Sequence, residues 1–235
     1  MPQSTKRQIT LSPSALNLFL QCPRCFWLEK VKKVKRPRGI FPSLPGGMDR
    51  AIKNYFDRFR QDLILPPELT GSDFKGVNLF RDQRQLDLWR DWRTGLRYED
   101  SSEGAILTGA LDDLLVKGER YIPFDYKTKG SVTTQEDAVR YYQNQLDCYA
   151  FLLEANQCPP EDHAFLLYYS PRRVESDGRV TFEIQAIKVG TDTKRARNVF
   201  AEALAVLKGP MPSVRSTCEF CLWLEQTAKL HRSSE

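Results

Sequence analysis

The chain has 235 residues and a mass of 27.2 kDa, which suits one domain or one domain with an appended segment. With 41% hydrophobic and 28% charged residues, the composition favours a soluble globular enzyme and excludes disordered or collagen-like chains. No apolar run approaches the roughly 18 residues that a membrane span needs. The first fifteen residues lack the apolar stretch of a secretory signal, so we expect a cytoplasmic protein without a membrane partner.

The net charge of +5 is unevenly distributed along the chain. Residues 1–40 hold nine basic and one acidic side chain, giving 9 − 1 = +8, whereas the remaining residues hold 26 basic and 29 acidic side chains, giving −3. A basic block of this kind is typical of surfaces that bind nucleic acid, and a solvated surface loop is the alternative. The candidates for phosphate contacts are Arg24, Lys30, Lys32, Lys33, Lys35, Arg36 and Arg38.

The first hundred residues are predicted to be mainly helical. Ser12 as N-cap and Pro13 at the first helical position indicate a helix that runs toward Leu20. The further predicted segments are a connection over residues 36–47, a helix over 48–60, a helix over 82–93 and a loop over 95–104.

The central block has a different pattern. Two apolar runs, 105–116 and 120–128, are separated by Lys117, Gly118 and Glu119, which predicts a β-hairpin with a three-residue loop. The following predicted elements are a helix over 136–155, strands over 163–170 and 180–189, and a helix over 193–209. The order β-β-α-β-β-α predicts an α/β fold.

The hairpin carries three side chains with catalytic potential. Asp125 and Lys127 are two residues apart on one strand and therefore share a face, and Asp112 lies near the end of the preceding run. Two carboxylates suit a hard cation such as Mg²⁺, which also binds substrate phosphates. A lysine beside them can position the attacking water and offset phosphate charge. The alternative is an ordinary exposed hairpin with an Asp–Lys pair.

Two C-x-x-C pairs bracket the chain: Cys22 with Cys25, and Cys218 with Cys221. Thiols stay reduced in the cytosol, so a disulfide framework is not expected. Four thiolates can form a tetrahedral site for zinc or hold an iron–sulfur cluster, and such a site would join the two ends of the chain. Redox pairs or plain buried cysteines are the alternative.

Three motifs in the central block resemble a known nuclease family. They are Gly109-Ala110-Leu111-Asp112, then Asp125-Tyr126-Lys127-Thr128-Lys129-Gly130, then Gln145-Leu146-Asp147-Cys148-Tyr149. They are similar to the G-x-x-D, D-x-K-T-x-G and Q-L-x-x-Y motifs of the RecB-like branch of the PD-(D/E)XK nuclease superfamily. The flanking cysteines resemble those of its iron–sulfur exonucleases, which include the AddB nuclease domain and the CRISPR-associated exonuclease.

This resemblance implies a restriction-endonuclease-like α/β core, in which helices flank a central mixed sheet and a four-cysteine metal site joins the chain ends. Residues 1–235 would form a single domain. Its parts would be a mainly helical N-terminal part with the basic segment over 1–100, a nuclease core over 101–209 and a C-terminal cysteine segment over 210–235.

The resemblance also implies roles for individual residues. Asp112 and Asp125 would bind Mg²⁺ or Mn²⁺, the carbonyl of Tyr126 would complete the coordination, and Lys127 would be the catalytic lysine. Gln145 and Tyr149 would contact the DNA backbone or orient Lys127, although Tyr149 also fits a core position. Asp113 is the alternative ligand if the strand register differs by one residue.

Two features depart from the family pattern. Asp49 stands where the family has a histidine ligand, so it is either a further metal ligand or the mark of an altered activity. The iron–sulfur relatives supply one cysteine from the N-terminal side and three from the C-terminal side, whereas this chain supplies two and two. The sequence therefore leaves a [4Fe–4S] cluster and a Zn²⁺ ion both open.

We predict a Mg²⁺- or Mn²⁺-dependent DNA exonuclease that hydrolyses phosphodiester bonds of single strands or duplex ends. The expected context is DNA repair, recombination or defence, with a helicase or a CRISPR-type protein as the kind of partner. The first alternative is a nucleic-acid-binding protein that keeps the nuclease fold without hydrolysis. The second is a zinc-stabilised interaction protein in which the D-x-K motif is accidental.

Overall fold

The computed structural model describes residues 8–37, 39 and 43–232, which form two β-sheets surrounded by helices. The strands are β1 (Ile9–Leu11), β2 (Val77–Leu79), β3 (Leu96–Asp100), β4 (Ala105–Gly109), β5 (Asp113–Lys117), β6 (Arg120–Thr128), β7 (His163–Val174) and β8 (Val180–Gly190). The helices are α1 (Pro13–Gln21), α2 (Pro23–Trp27), α3 (Ser43–Gln61), α4 (Gln83–Arg90), α5 (Gln135–Ala155), α6 (Thr193–Lys208) and α7 (Glu219–Arg232). A π-helical turn, Leu28–Lys32, continues α2.

The central sheet is mixed, as predicted. Its five strands have the order β2-β5-β6-β7-β8, and among them only β6 and β7 run parallel. A parallel pair needs a crossover connection, which α5 provides. A second sheet of three strands has the order β1-β4-β3, with β1 and β4 parallel. The predicted α/β class is confirmed.

The central strands are covered on both faces. Because side chains alternate along a strand, Leu166 and Tyr168 of β7 join the core beneath α5 and α6. Phe165 and Leu167 point to the other face and pack with Phe56 of α3. Burial on both faces explains why β7 begins with a continuous apolar run.

Helix α5 packs against both sheets. Thr134 caps its first turn by accepting the backbone N–H of Asp137, and the stretch 146–153 is buried. Gly109 at the end of β4 allows this helix to come close, since a Cβ atom there would lie 2.6 Å from Cδ1 of Leu152. The helix is therefore held against the strand end that precedes Asp112.

The structure corrects the predicted hairpin. The apolar run 105–116 is not one strand, because β4 ends at Gly109 and β5 begins at Asp113 in the other sheet. The hairpin consists of β5 and β6, in which Lys117 pairs with Arg120 across a two-residue loop. Asp112 thus lies in the bend between the two sheets.

Two other predictions are wrong in their bounds. Helix α3 begins at Ser43 and includes the last part of the predicted connection, because Pro45 falls in the first helical turn, where proline is tolerated. The predicted loop over 95–104 contains β3, whose Leu96 and Tyr98 pack into the core. A short strand in which only two apolar residues alternate with polar ones does not stand out in the sequence.

Candidate active site and metal centre

Asp112, Asp125 and Lys127 converge where β5 begins and β6 approaches its end. Lys127 forms an ion pair with Asp125 Oδ2, and its ammonium also acts on the Asp112 carboxylate. Asp125 is 1% exposed. The three side chains therefore lie together, and an ion that prefers oxygen ligands, such as Mg²⁺, could bind both carboxylates.

The pKa values of the two carboxyl groups are shifted in opposite directions. Burial raises the pKa of Asp125 to about 7, although the ammonium of Lys127 opposes the rise. Burial also acts to raise the pKa of Asp112, but the ammonium groups of Lys53 and Lys127 outweigh it and the pKa is lowered. Asp125 and Asp112 likewise keep the pKa of Lys127 raised despite its burial. Neighbouring carboxyl groups whose pKa values are shifted in opposite directions are typical of catalytic sites.

Gln145 and Tyr149 of α5 also reach this centre. The Gln145 amide nitrogen donates to Asp125 Oδ1 at 3.0 Å and to the Tyr149 hydroxyl at 2.9 Å. Tyr149 is 7% exposed and belongs to the main core, so its ring has a packing role as well. Gln145 therefore fixes the orientation of the Asp125 carboxylate.

Lys53 of α3 is a site residue that the sequence reasoning missed. Its Nζ atom lies 2.9 Å from Asp49 Oδ2 and 2.8 Å from Asp112 Oδ1. Asp49 is thereby connected to the acidic centre through a lysine. The i, i+4 spacing of Asp49 and Lys53 in a predicted helix was the available signal.

Asp113 faces the opposite side of the strand from Asp112. Arg60 donates to both of its carboxylate oxygens at 2.7 Å, Arg90 donates at 3.1 Å, and the Tyr126 hydroxyl donates to Oδ2. This network occupies the Asp113 carboxylate completely. Asp112 is therefore the carboxylate that faces Asp125, and the Tyr126 side chain belongs to the other face.

Two cavities adjoin the centre. The first, of about 390 Å³, is lined by Asp49 and Lys127 among others, together with Tyr142, whose ring centroid lies 4.7 Å from Lys127 Nζ. The second, of about 380 Å³, is lined by Gln145 and Tyr149 on the α5 side. Both cavities are therefore bordered by side chains of the centre.

The four predicted cysteines meet in one buried cluster. The Sγ separations are 3.5 Å for Cys22–Cys221, 3.7 Å for Cys25–Cys218 and 3.7 Å for Cys25–Cys221. All four sulfur atoms lie within 4.8 Å of one another. Thiolates in this arrangement suit a soft or borderline metal, so the expectation that a four-cysteine site joins the two ends of the chain is confirmed as a cluster.

The basic side chains of the N-terminal block make several contacts within the protein. Arg24 donates to the Pro212 carbonyl at 3.0 Å, and Arg36 donates to Gln21 at 3.0 Å and toward Cys218 Sγ at 3.5 Å. The remaining described members are Lys30, paired with Glu29; Lys32, over the Trp27 ring; Lys33, bonded to the Lys30 carbonyl; and the exposed Lys35. Arg38 lies outside the described residues.

The family of the chain follows from a direct comparison. Residues 47–226 match the PD-(D/E)XK nuclease superfamily. The matched range contains Asp49, the three central motifs and the second cysteine pair. The chain belongs to the PD-(D/E)XK nuclease superfamily, a class defined by metal-dependent nucleases. No curated protein matches the chain significantly. None of the helices in the described ranges has the length and apolar character needed to cross a membrane.

Proposed function

We propose that this protein is a Mg²⁺- or Mn²⁺-dependent DNA exonuclease that hydrolyses phosphodiester bonds in single strands or at duplex ends. The observation that carries the proposal is the convergence of Asp112, Asp125 and Lys127, with Gln145 donating to Asp125. Membership in a nuclease superfamily supports the same activity. Residues 1–235 would act as one domain.

Asp112 and Asp125 would hold the divalent ion together with the Tyr126 carbonyl, and Asp49 is a candidate further ligand. The ion would supply Lewis-acid stabilisation of the phosphate charge. Lys127, held cationic by the two aspartates, would position the attacking water and stabilise the charge that develops on the phosphate. Gln145 would keep the Asp125 carboxylate in the orientation that ligation requires.

The cleavage assay would use end-labelled single-stranded, duplex and circular DNA with Mg²⁺, Mn²⁺ or EDTA. Lys127→Ala should lose at least about 100-fold in rate, in the range of general catalytic side chains. Lys129→Ala is the matched control. Lys129 is two residues after Lys127 and pairs with Asp137 outside the acidic centre. Cleavage that persists in Lys127→Ala or in EDTA would refute the mechanism, and cleavage of circles would refute the exonuclease assignment.

The second candidate function is DNA binding without hydrolysis. It is favoured by Lys53, whose ammonium lies between the Asp49 and Asp112 carboxylates, where it opposes a metal cation. Wild-type protein that binds DNA but leaves every substrate intact in both metals would support this alternative.

For the cysteine cluster we propose a single Zn²⁺ ion in preference to a [4Fe–4S] cluster. Four sulfur atoms about 2.3 Å from one tetrahedral zinc lie about 3.8 Å apart, which is close to the observed 3.5–3.7 Å. In a [4Fe–4S] cluster each cysteine binds a different iron atom at a corner of a cube, so the sulfur atoms must lie much farther apart. The sulfur separations thus support one ion.

The metal test is elemental analysis of anaerobically purified protein together with its absorption spectrum. One zinc per chain without absorption near 400 nm is the expected result, and about four irons per chain with that absorption would refute zinc. Cys22→Ser should lose the metal. Cys148→Ala is the matched control, because Cys148 is buried but lies outside the cluster.

The cysteines and the basic residues support a proposal for the biological setting. The six cysteines, none of which forms a disulfide in the described part of the chain, support a reducing compartment such as the cytoplasm. The basic residues Lys30, Lys32, Lys33 and Lys35 would add phosphate contacts, and DNA repair, recombination or defence would supply the substrate. A helicase or a CRISPR-type protein remains the proposed kind of partner.

A further inference from the structure

The second cavity beside the catalytic centre has a lining suited to a nucleotide. It has a volume of about 380 Å³, and Gln145 and Tyr149 form part of its wall. Gln145 donates directly to Asp125, so the cavity is one side chain away from the carboxylates that would bind the metal. A ligand seated here would be adjacent to the phosphate under attack.

The polar groups of the cavity are neutral. Its lining residues include Ser14, Asn17 and Thr108, and no charged side chain occurs among the described residues that line it. Asn17 Oδ1 accepts from Asn144 at 2.7 Å, which leaves the Asn17 amide nitrogen as a donor. Ser14 lies one turn earlier on the same face of α1. Hydroxyl and amide donors suit sugar and phosphate oxygens.

Trp92 supplies an aromatic surface at this cavity. The indole is 73% exposed, whereas Trp89, three residues earlier, is 9% exposed and stacks on Phe80 with ring centroids 5.4 Å apart. Trp92 therefore contributes little to the core, and its ring contact in the structure is the Arg93 guanidinium, 4.6 Å from the ring centroid. An exposed indole with a nearby cation is the arrangement on which nucleobases stack.

We infer that this cavity is a nucleotide subsite, in which the base of a nucleotide next to the scissile phosphate stacks on Trp92. The adjoining sugar and phosphate would take hydrogen bonds from Ser14 and Asn17. This inference rests on the proposed function for the identity of the polymer. It identifies Trp92 as a residue that binds the substrate and does not take part in hydrolysis.

The test is the affinity of a labelled 12-nucleotide single-stranded DNA, measured by fluorescence anisotropy in EDTA. Lys127→Ala serves as the background, so cleavage does not interfere. Adding Trp92→Ala should weaken binding about 5- to 150-fold, because one stacked base contributes that range. Trp92→Phe should retain most of the affinity. Trp223→Ala is the matched control, since Trp223 is 60% exposed but lies on α7.

A second measurement locates the base. Oligonucleotides with one abasic position are compared between the background protein and the same protein carrying Trp92→Ala, with the abasic position moved along the strand. One position should abolish the difference between the two proteins, because the stacking partner is then missing. A difference that is absent, or that stays the same at every abasic position, overturns the subsite.

The outcomes separate this inference from the nuclease proposal. Protein that cuts DNA but shows no effect of Trp92→Ala refutes the subsite alone. Protein that shows the position-specific Trp92 effect but never cuts refutes hydrolysis alone. Equal melting temperatures for the variants are required, and the exposure of Trp92 predicts them.

Discussion

Asp112 and Asp113 are neighbours with opposite roles at the residue scale. Asp112 faces Asp125 and two lysines, whereas Asp113 is fully buried against Arg60 and Arg90. The motif comparison placed the active carboxylate at Asp112, but the reason for the second acid could not be obtained from the sequence. Its partners Arg60 and Arg90 come from distant parts of the chain, and such contacts depend on the tertiary fold.

Asp113→Asn should lower the free energy of unfolding by about 3–5 kcal/mol, because it leaves two buried guanidinium groups without their carboxylate. The measurement is chemical denaturation. Asp87→Asn is the matched control, since Asp87 pairs with the same Arg90 at 3.6 Å but is 60% exposed, and it should change stability by less than about 1 kcal/mol. Equal losses in the two variants would contradict the structural role of Asp113.

Lys53→Gln should tighten Mn²⁺ binding about tenfold. The ammonium of Lys53 lies beside Asp112 and repels a metal ion bound to the same carboxylate. Isothermal titration calorimetry measures the change. Lys129→Gln, which removes a lysine paired with Asp137, should leave the affinity unchanged. Weaker Mn²⁺ binding in Lys53→Gln would show that the lysine instead holds Asp112 in its ligating position.

Mn²⁺ affinity should rise with pH up to about 7 and then level off. Burial raises the pKa of Asp125 to about 7, so below that pH the carboxyl is protonated and must lose its proton before it can bind the ion. Well below pH 7 the affinity should fall up to about tenfold per pH unit. Titrations at pH 6, 7 and 8 test this dependence, and equal affinities at the three values would show that Asp125 is already ionised.

At the scale of the elements, long periodic segments were predictable and boundaries between sheets were not. Helices α1, α5 and α6 follow from caps and apolar periodicity in the sequence. The break between β4 and β5 was not predicted, because apolar residues stand on both sides of Asp112 and Asp113 and the whole stretch resembles one strand. The strand β1 and the helix α2 were missed because each is very short.

Gly109→Ala tests how closely β4 and α5 must approach. The new Cβ atom would lie 2.6 Å from Cδ1 of the fully buried Leu152, so the helix must move or Leu152 must change rotamer. We expect a loss of about 1–3 kcal/mol in the free energy of unfolding. Gly46→Ala is the control, because no atom lies within 4 Å of a Cβ atom there and the position is helical. An unchanged stability for Gly109→Ala would show that α5 shifts to accommodate the methyl group without loss of free energy.

At the scale of the whole molecule, the cysteine cluster joins residues that lie 199 positions apart in the sequence, Cys22 and Cys221. Its pairing could be anticipated from two C-x-x-C motifs, but the sulfur separations that distinguish one ion from a cluster could not. The contacts of Arg24 and Arg36 with distant residues were equally hidden, because the sequence shows only their charge. Both kinds of feature depend on how the chain returns to residue 22 after nearly two hundred residues.

This tie has a consequence for how the protein is made. Cys22 and Cys25 leave the ribosome long before their partners Cys218 and Cys221, which follow only after the described elements from α1 to α6 have been synthesised. If the cluster holds the proposed ion, all four thiolates could bind it only after translation has passed residue 221. Until then the first two thiols would be open to oxidants and competing metals, so the metal available when the second pair emerges would determine which ion the proposed site receives.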